Sequence, residues 1–315
     1  MITLSDVQAA HGRLHGIAQH TPLILSEALT ASAGHPVYLK AENLQVTGAF
    51  KIRGAYNKIS SLSDVEKARG VVAHSSGNHA QAVACACQLL GIKAVVVIPQ
   101  NAVEAKVRAT QSRGAEIIRC GPTLDERDDA VRRLHEQYGY TVVHPFNDPL
   151  IIAGQGTAGL EIMDDLPDVQ TILVPVGGGG LISGIAIAAK ERDRRVKVVG
   201  VEPAGANDAL QSLRQGHLVS LDKTDTIADG LRAQHLGGLT YEIMRRYVDD
   251  IVTVSDDDIL EAVRLLLYQD RLVVEPSGAV AAAALHLRRA GDIKGPAVAV
   301  LSGGNIDPAL LRSLA

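Results

Sequence analysis

The chain has 315 residues, of which 46% are hydrophobic and 21% charged, so it can bury a sizeable core in one large domain or two modest ones. Its formal net charge of −4 gives no overall attraction to nucleic acid or to an anionic membrane surface. Aromatic residues make up only 3% and Trp is absent, which leaves no stacking platform for single-stranded nucleic acid.

Cysteine content and the N-terminal segment both bear on the compartment. Three cysteines, Cys85, Cys87 and Cys120, are too few for a disulfide framework, and Cys85-Ala86-Cys87 lacks the spacing of a metal or redox pair. The opening MITLSDVQAAHGRLHG has no apolar signal-peptide segment, and no apolar run is long enough to span a bilayer. We therefore expect a cytoplasmic protein that binds neither membrane nor nucleic acid.

Short β-branched runs alternate with helix-length segments along the chain. The runs are VVAH (71–74), AVVVI (94–98), AEII (115–118), TVVH (141–144), TILVPV (171–176), VKVVGVE (196–202) and AVAVL (297–301). Because they are apolar on both faces, they predict parallel strands that are covered by helices on each side. The predicted fold class is α/β, with open, twisted and mostly parallel sheets.

Helix ends and strand grouping indicate how the chain is organised. A helix is predicted to begin near Asn78 and to end at Gly91, and segment 102–114 also closes on a glycine suited to a left-handed C-cap. Segment 256–270 opens on acidic residues that complement a helix N-terminus. The four runs between 71 and 144 can form a sheet of their own. We therefore predict a small domain, 53–147, inserted in a large domain, 1–52 and 148–315.

Three loops of small residues follow predicted strands, namely SSGNH (75–79), GGGGL (177–181) and SGGN (302–305). Ligands bind open parallel sheets outside the carboxyl ends of strands, so these loops are candidates for one cleft. The tetraglycine leads into helical LISGIAIAAK, whose N-terminus and backbone N–H groups suit a compact monophosphate. It matches neither the P-loop nor the dinucleotide pattern. Taken alone, it is also compatible with a flexible turn.

One lysine stands apart, in TGAFKIRGAYN (47–57). Lys51 follows small residues and Phe50, whereas most other lysines lie in evidently solvated helical contexts. A lysine must be partly desolvated, or lie near other cations, to supply the neutral amine that forms a Schiff base. A solvated surface lysine is the alternative, because most lysines are solvated.

Eight motifs, in this order along the chain, resemble those of a known family. They are TGAFKIRGAYN, SSGNHAQA, HPFNDPLIIAGQGTAGLEI, VPVGGGGLISG, GVEPAGAND, TIADGL, VEPSGAVAAAAL and LSGGNID. They are similar to motifs of the fold-type II pyridoxal-phosphate (PLP) enzymes, specifically the serine/threonine dehydratases and serine racemases. The resemblance runs from about residue 15 to residue 310. It implies a tryptophan synthase β-like fold of two α/β domains, and a homodimer.

The resemblance implies a set of cofactor contacts. Lys51 would carry PLP as a Schiff base, and the other contacts would be Phe50 on the ring, Asn78 at the ring hydroxyl, Gly177, Gly178, Gly179, Gly180 and the Leu181 backbone at the phosphate, and Ser302 at the pyridine nitrogen. A serine cannot hold the ring nitrogen protonated as an aspartate would. The cofactor is then a weaker electron sink, which favours elimination and racemisation over transamination.

The SSGNH loop is implied to bind the substrate. Ser75, Ser76, Asn78 and His79, with the N–H groups of their loop, would receive the α-carboxylate at the start of a helix. Lys51 would take the Cα proton from one face of the cofactor plane. Threonine dehydratases usually have SAGNH, whereas serine racemases and hydroxyaspartate dehydratases have SSGNH. A Ser76 hydroxyl on the opposite face would permit racemisation, although a simple turn hydroxyl is the alternative.

Two further assignments follow from the resemblance. Glu202, Ala206 and Asp208 match positions that bind Mg²⁺, or another divalent cation such as Mn²⁺ or Ca²⁺, through carboxylates, a carbonyl and waters. From spacing alone, the alternative is a solvated acidic loop. Arg133 aligns with an arginine near the substrate entrance, although it also fits a solvated helix.

The substrate pocket departs from the racemase pattern at two positions. Arg119 stands where an aromatic residue is usual, and Phe146 replaces a polar residue. Either residue is a candidate to contact the pocket, so the two departures bear on which substrate the chain takes.

The sequence thus predicts dehydration of L-serine or L-threonine to pyruvate or 2-oxobutanoate and ammonia, with serine racemisation as a second activity. A 3-hydroxyaspartate dehydratase or another amino-acid racemase is the alternative within the class, and a non-catalytic PLP-binding protein is the alternative outside it. The chain ends soon after SGGN, so we expect neither a C-terminal regulatory domain nor control by isoleucine.

Overall fold

A computed structural model describes residues 2–100, 102, 104–121, 123–291 and 293–314. The strands of these residues are β1 (Leu23–Leu25), β2 (Val37–Lys40), β3 (Val71–His74), β4 (Ala94–Pro99), β5 (Glu116–Cys120), β6 (Thr141–Val142), β7 (Thr171–Pro175), β8 (Lys197–Pro203), β9 (Asp250–Val254) and β10 (Ala297–Val300). The α-helices are α1 (Leu4–Leu14), α2 (Glu27–Ala33), α3 (Lys51–Ser60), α4 (Asp64–Arg69), α5 (Asn78–Leu90), α6 (Glu104–Gln111), α7 (Leu124–Tyr138), α8 (Pro149–Asp165), α9 (Gly180–Arg192), α10 (Asp208–Gln215), α11 (Gly238–Tyr247), α12 (Asp256–Tyr268), α13 (Pro276–His286) and α14 (Pro308–Ser313). None of these helices combines the length and the apolar character needed to cross a membrane.

The strands form two sheets. The larger sheet has the order β1-β2-β10-β7-β8-β9, and the smaller has the order β5-β4-β3-β6. Within the part of the chain that the structure describes, β1 alone runs antiparallel to its neighbouring strand, and the other strand pairings are parallel. The predicted α/β class with mostly parallel sheets is confirmed, and the runs between 71 and 144 do form a separate sheet. The domain boundaries at 52/53 and 147/148 stay predictions.

Three of the described strands were not predicted, because the sequence of each lacks a clear apolar strand pattern. Strand β1 has only three residues and pairs antiparallel at a sheet edge. Strand β2 ends in Lys40, a charged residue that is nevertheless fully buried. Strand β9, DIVTV, lies at the other edge and is only partly buried. Strands β1 and β9 are edge strands, which mix polar and apolar residues and therefore lack the apolar signal by which the central strands were recognised.

Helices cover both faces of each sheet. Along β10, Ala297 and Ala299 face a core that contains the Ala-rich helix α13, whereas Val298 and Val300 face a second core that contains α9. In the smaller sheet, Val96 faces a core with α3 and α5, and its neighbours face α7. The alternation follows from the period of two in strands and gives the three-layer arrangement that the sequence predicted.

Helices α3, α8 and α9 pack backbone against backbone through glycines. A Cβ at Gly154 would lie 2.5 Å from the carbonyl oxygen of Arg53, and a Cβ at Gly54 would lie 2.8 Å from that of Ile151. On the far side of α8, a Cβ at Gly184 would lie 2.4 Å from the Ile152 carbonyl oxygen. Such contacts are closer than side chains allow, so the position of α3 on α8 is tightly specified.

A buried cluster of four charged residues, Lys40, Glu42, Arg53 and Glu161, ties α3 to its surroundings. The Arg53 guanidinium donates to Glu42 Oε1 and Oε2, each at 2.8 Å, and to Glu161 Oε1 at 2.6 Å. Lys40 Nζ lies 2.6 Å from Glu161 Oε2. Burial alone would raise the pKa of Glu42, but Arg53 and Lys40 hold that pKa below its ordinary value. Two cations therefore balance two carboxylates.

Removing one member of this cluster should destabilise the fold strongly. Arg53→Met would leave Glu42 and Glu161 buried with Lys40 alone, so we expect the free energy of unfolding to fall by about 3–5 kcal/mol. The matched control is Arg132→Met, which removes an exposed pair with Asp129 and should cost less than about 1 kcal/mol. Urea unfolding followed by circular dichroism measures both. Equal effects of the two substitutions would contradict the account.

Candidate active site

Lys51 is the first residue of α3, and the segment before it is tied to the loop that follows β10. The Phe50 N–H donates to the Ser302 carbonyl at 3.1 Å, and the Gly304 N–H donates to the Gly48 carbonyl at 2.8 Å. The TGAFK and SGGN motifs, far apart in sequence, therefore lie side by side. The helix start that carries Lys51 is thereby fixed to the carboxyl end of the central strand β10.

The Lys51 amine is desolvated and has no carboxylate partner among its described contacts. Its Nζ donates to the Pro145 carbonyl oxygen at 3.0 Å and lies 5.0 Å from the centroid of the Phe50 ring. Burial lowers the pKa of Lys51 from 10.5 to about 8. The side chain thus provides far more neutral amine near neutral pH than a solvated lysine does. The alternative of an ordinary surface lysine does not fit this environment.

The SSGNH loop leads from β3 into α5 and ends in free helix N–H groups. Ser75 Oγ accepts a hydrogen bond from the Gly77 N–H at 3.2 Å, which tightens the turn. The Gln81 N–H is the first in α5 to reach a helical carbonyl, that of Gly77. The N–H groups of residues 78–80 therefore lack an intrahelical acceptor, as at any helix start. They form a site suited to an anion such as a carboxylate.

The His79 ring is turned away from this anion site. It is 4% exposed, and its Nε2 lies 2.9 Å from the Val143 carbonyl oxygen. A carbonyl only accepts, so Nε2 carries the hydrogen. Burial, with the nearby charge of Lys51, lowers the pKa of His79 well below its ordinary value, and the ring is neutral. What His79 offers an anion is its backbone N–H, not its ring.

The tetraglycine loop, Gly177–Gly180, connects β7 to α9 and is closely packed on both sides. A Cβ at Gly178 would lie 2.2 Å from the Phe146 ring, and a Cβ at Gly179 would lie 2.9 Å from Met244 Sδ. Gly179 also has a φ of +86°, which favours glycine. The first helical N–H with a partner is that of Ser183. The N–H groups of 180–182, including that of Leu181, are therefore free to bind a phosphate.

Segment 144–147 brings Lys51 and the tetraglycine loop together. The Pro145 carbonyl contacts Lys51, while the ring of the next residue, Phe146, packs on Gly178. His144 Nδ1 accepts from the Phe146 N–H at 3.2 Å, which fixes the turn. Burial, aided by His74 and Lys51, lowers the pKa of His144 to about 4. The Lys51 amine and the tetraglycine loop therefore both contact the same short segment, 144–147.

Glu275 and Asn305 belong to this site, but the sequence analysis assigned neither of them a role. Asn78 Nδ2 donates to Glu275 Oε1 at 2.5 Å, and Asn78 Oδ1 accepts from Asn305 Nδ2 at 2.8 Å. Glu275 is 3% exposed, and burial, with Asp229 nearby, raises its pKa to about 7. The available signal was a glutamate within an apolar stretch, in the VEPSG motif, that was noted without a role.

Ser302 lies close to Lys51 through the backbone bond of Phe50. Its side chain is 4% exposed, and its Oγ donates to the Ser277 carbonyl at 3.3 Å. Ser277 Oγ in turn accepts from the Gly230 N–H, next to the tetraglycine loop. A neutral hydroxyl, which bonds no carboxylate of the described residues, therefore lies beside the segment that carries Lys51.

Glu202 and Asp208 form a buried acidic pair at the end of β8. Glu202 accepts from the N–H groups of Ala209 and Leu210 at 3.0 and 2.8 Å. Neither carboxylate oxygen of Asp208 has a hydrogen-bond partner in another described residue. Burial, with the charge of Asp208, raises the pKa of Glu202 to about 8, and burial raises that of Asp208 to about 7. The alternative of a solvated loop is wrong.

The remaining predicted site residues are less constrained. Ser76 is partly buried in the turn between Ser75 and Gly77, and its place opposite Lys51 stays a prediction. Arg133 is exposed on α7, and no hydrogen bond joins it to the described residues around Lys51, so its role also stays a prediction. Arg119 bonds Glu104 and the Pro99 carbonyl, whereas Phe146 does contact the glycine cradle.

These features define a class of protein, an α/β scaffold in which a desolvated lysine lies beside backbone cradles for a phosphate and a carboxylate. A family model described as "Pyridoxal-phosphate dependent enzyme" matches residues 16–303. Since the match spans most of the chain, the chain belongs to this family of pyridoxal-phosphate-dependent enzymes. The family and the fold type that the motifs predicted are confirmed.

Relatives with three activities are similar to this chain. The L-threonine ammonia-lyase of Thermotoga maritima is 49% identical over 308 residues, 98% of this chain and 76% of that protein. The L-threo-3-hydroxyaspartate ammonia-lyase of Saccharomyces cerevisiae is 41% identical over 97% of this chain and 94% of that protein. The solved structure of maize serine racemase is 39% identical, with a TM-score of 0.96 over 99% of this chain and 96% of that one.

The lowered pKa of Lys51 predicts when its amine reacts. In protein freed of cofactor, we expect the rate of covalent attachment of added PLP to rise with pH and to level off with a midpoint near 8. Only the unprotonated amine attacks an aldehyde. Stopped-flow absorbance between about pH 6.5 and 9.5 measures it, with Lys51→Arg as the unreactive control. A rate that still climbs steeply at the upper limit would contradict the prediction.

Proposed function

We propose that this chain is a PLP-dependent ammonia-lyase that converts L-serine or L-threonine into pyruvate or 2-oxobutanoate and ammonia, with serine racemisation as a second activity. The observation that carries the proposal is the half-buried Lys51, whose amine bonds the segment that packs on the tetraglycine loop. Relatives named for threonine ammonia-lyase and serine racemase support it.

The described residues fit PLP. The N–H groups of 180–182 would receive its phosphate, Asn78 would face its ring hydroxyl, and Ser302 would face its ring nitrogen. A Cβ would lie 2.2 Å from the Phe146 ring at Gly178 and 2.9 Å from Met244 Sδ at Gly179, so the close packing of this loop is compatible only with glycine at these two positions. When bound, the cofactor would supply an electron sink for charge that develops at the substrate Cα.

The chain's own groups would perform binding and proton transfer. The N–H groups of residues 78–80, with the Ser75 hydroxyl, would hold the substrate carboxylate. The amine of Lys51 would act as the base that removes the Cα proton, and its desolvation, which lowers its pKa to about 8, raises the share of neutral amine available for that task. The β-hydroxyl would leave as water, and hydrolysis of the remaining carbon–nitrogen bond would then give the keto acid and ammonia. A Ser76 hydroxyl on the other face would exchange the proton there, which racemisation needs.

Ser76→Ala separates the two activities. We expect racemisation of serine to fall about a hundredfold or more, because a positioned acid–base group is lost, while elimination from L-serine stays within a few-fold. Keto-acid formation and product chirality are measured side by side. The surface substitution Ser112→Ala should change neither activity. Unchanged racemisation in the Ser76 variant would refute the two-face proposal.

Substrate choice has two competing answers. A 3-hydroxyaspartate dehydratase is supported by the yeast relative and by the SSGNH sequence, and it would need a cation for the second carboxylate. Arg119 is held by Glu104, and Arg133 is exposed. We therefore favour serine and threonine, whose side chains are uncharged. Steady-state assays with serine, threonine and 3-hydroxyaspartate distinguish these, and no keto acid from any of them would identify a non-catalytic PLP-binding protein.

We further propose that Glu202, the Ala206 carbonyl and Asp208 hold Mg²⁺, or another divalent cation such as Mn²⁺ or Ca²⁺. Two adjacent buried carboxylates, one with unpartnered oxygens, suit a hard cation that retains waters. The described residues contain no group of three or more His, Cys, Asp or Glu side chains placed for a metal. A carbonyl and waters would therefore complete the ligand set.

Metal binding should be visible as stabilisation. With Mg²⁺ at a hundred times its dissociation constant, we expect the free energy of unfolding to rise by about 2.7 kcal/mol. The melting temperature should then rise by several degrees, and a chelator should reverse the rise. Asp208→Asn should abolish the shift, whereas Asp222→Asn, on an exposed loop, should retain it. Differential scanning fluorimetry measures all three proteins. A shift that persists in the Asp208 variant would contradict this assignment.

We also propose that the chain is divided into two domains. Strands β3 to β6 form a sheet of their own and follow β2 and precede β7 in chain order, which supports a small domain of residues 53–147 inserted in a large domain of 1–52 and 148–315. Homodimerisation is an expectation carried by the family resemblance, and a cytoplasmic location is an expectation carried by the three unpaired cysteines, which fit a reducing compartment.

A further inference from the structure

A linear chain of hydrogen bonds runs through Asn78 from one side of the site to the other. Asn305 Nδ2 donates to the Thr47 carbonyl and to Asn78 Oδ1, each at 2.8 Å. Asn78 Nδ2 donates to Glu275 Oε1 at 2.5 Å. The four groups come from four separate segments of the chain, and they meet where the SSGNH and SGGN loops approach each other.

The direction of these bonds follows from which groups can donate. A backbone carbonyl only accepts, so Asn305 must turn its amide nitrogen toward Thr47. The second hydrogen of that nitrogen reaches Asn78, which must therefore present its oxygen. The Asn78 nitrogen is then left to face Glu275, where a carboxyl oxygen accepts.

Close packing holds both ends of the chain of bonds in place. At one end, Thr47 and Gly48 have left-handed φ values of 69° and 73°, and a Cβ at Gly48 would lie 2.7 Å from Asn305 Oδ1. At the other end, the Glu275 N–H donates to the Gly303 carbonyl at 3.1 Å, and a Cβ at Gly303 would lie 2.1 Å from Glu275 Oε1. Neither end has room for a rearranged side chain.

The Asn78 side-chain amide has one hydrogen more than its bond to Glu275 uses. Its amide nitrogen carries two hydrogens, and Glu275 uses one of them. The other is available to an acceptor in the cleft, and on the proposed function that acceptor is the ring-hydroxyl oxygen of PLP. We infer that Glu275 is a positioning residue: by accepting from Asn78, it holds the amide so that the remaining N–H points at the cofactor.

The role of Glu275 depends on an acceptor oxygen and not on charge. Its neighbours include Asp229, whose charge adds to burial in raising the pKa of Glu275 to about 7, and Lys106, which opposes this and pairs with Asp229. A carboxyl group keeps an oxygen that accepts in either protonation state. A glutamine presents the same oxygen at the same reach, so it should substitute for Glu275, whereas an apolar side chain of similar size should not.

The test compares Glu275→Gln with Glu275→Met in the full-length protein. The two readouts are the dissociation constant of PLP, titrated into cofactor-free protein, and the position of the visible absorbance band once PLP is bound. For Glu275→Gln we expect a dissociation constant within about threefold of wild type and an unchanged band. For Glu275→Met we expect about tenfold weaker binding and a displaced band, because Asn78 is free to turn.

Controls separate this role from simple loss of packing. Glu261→Met, at an exposed position on α12, should leave both readouts unchanged. In an Asn78→Ala background, Glu275→Met should cause no further change in the band. If Glu275→Met does not fold, Asn305→Leu tests the other end of the same chain of bonds and should displace the band in the same way.

Three outcomes would overturn the inference. A wild-type band and affinity in Glu275→Met would show that Asn78 needs no acceptor there. If Glu275→Gln weakens PLP binding as much as Glu275→Met does, the effect comes from the charge of Glu275 and not from its acceptor oxygen. A wild-type protein that shows no PLP band at all would overturn the proposed function and this inference with it, whereas the first two outcomes leave the proposed function intact.

Discussion

The buried cluster of Lys40, Glu42, Arg53 and Glu161 is the interaction on which the rest of the structure depends. Arg53 lies two residues after Lys51, in the first turn of α3, and its guanidinium is 1% exposed. Charges taken out of water must be paired within the protein, so the cluster allows one arrangement of β2, α3 and α8. Because Lys51 is the first residue of α3, the same cluster also fixes where the Lys51 amine lies.

Around this fixed amine, the chain builds anion sites without basic side chains. The starts of α5 and α9 each leave backbone N–H groups unpaired, and glycines or small residues let a ligand approach them. Neutral partners surround Lys51, namely the Pro145 carbonyl, the Phe50 ring and the neutral rings of His79 and His144. Because none of these neighbours carries a negative charge, burial lowers the pKa of Lys51 to about 8.

Sequence patterns predicted the helices and strands that depend on local residues, but they missed features that depend on contacts between residues far apart in the chain. VVAH became β3 with the same bounds, and the helix predicted from Asn78 does end before Gly91. Lys40 at the end of β2 gave no strand signal, because its partner Glu161 lies on a helix far along the chain. Asn78 and Glu275 are separated by 197 positions, so no local pattern could pair them. Glu202 and Asp208 read as a solvated loop from spacing alone, yet folding buries both.

The measurement that tests the central claim most directly is chemical trapping of the cofactor. The PLP-loaded protein is reduced with borohydride, digested, and its labelled peptide is identified by mass spectrometry. The account predicts a single label on Lys51, because among the described lysines that amine combines a pKa lowered by burial with a position beside the segment that packs on the tetraglycine loop. A label on a different lysine, or none on folded protein supplied with PLP, would contradict it.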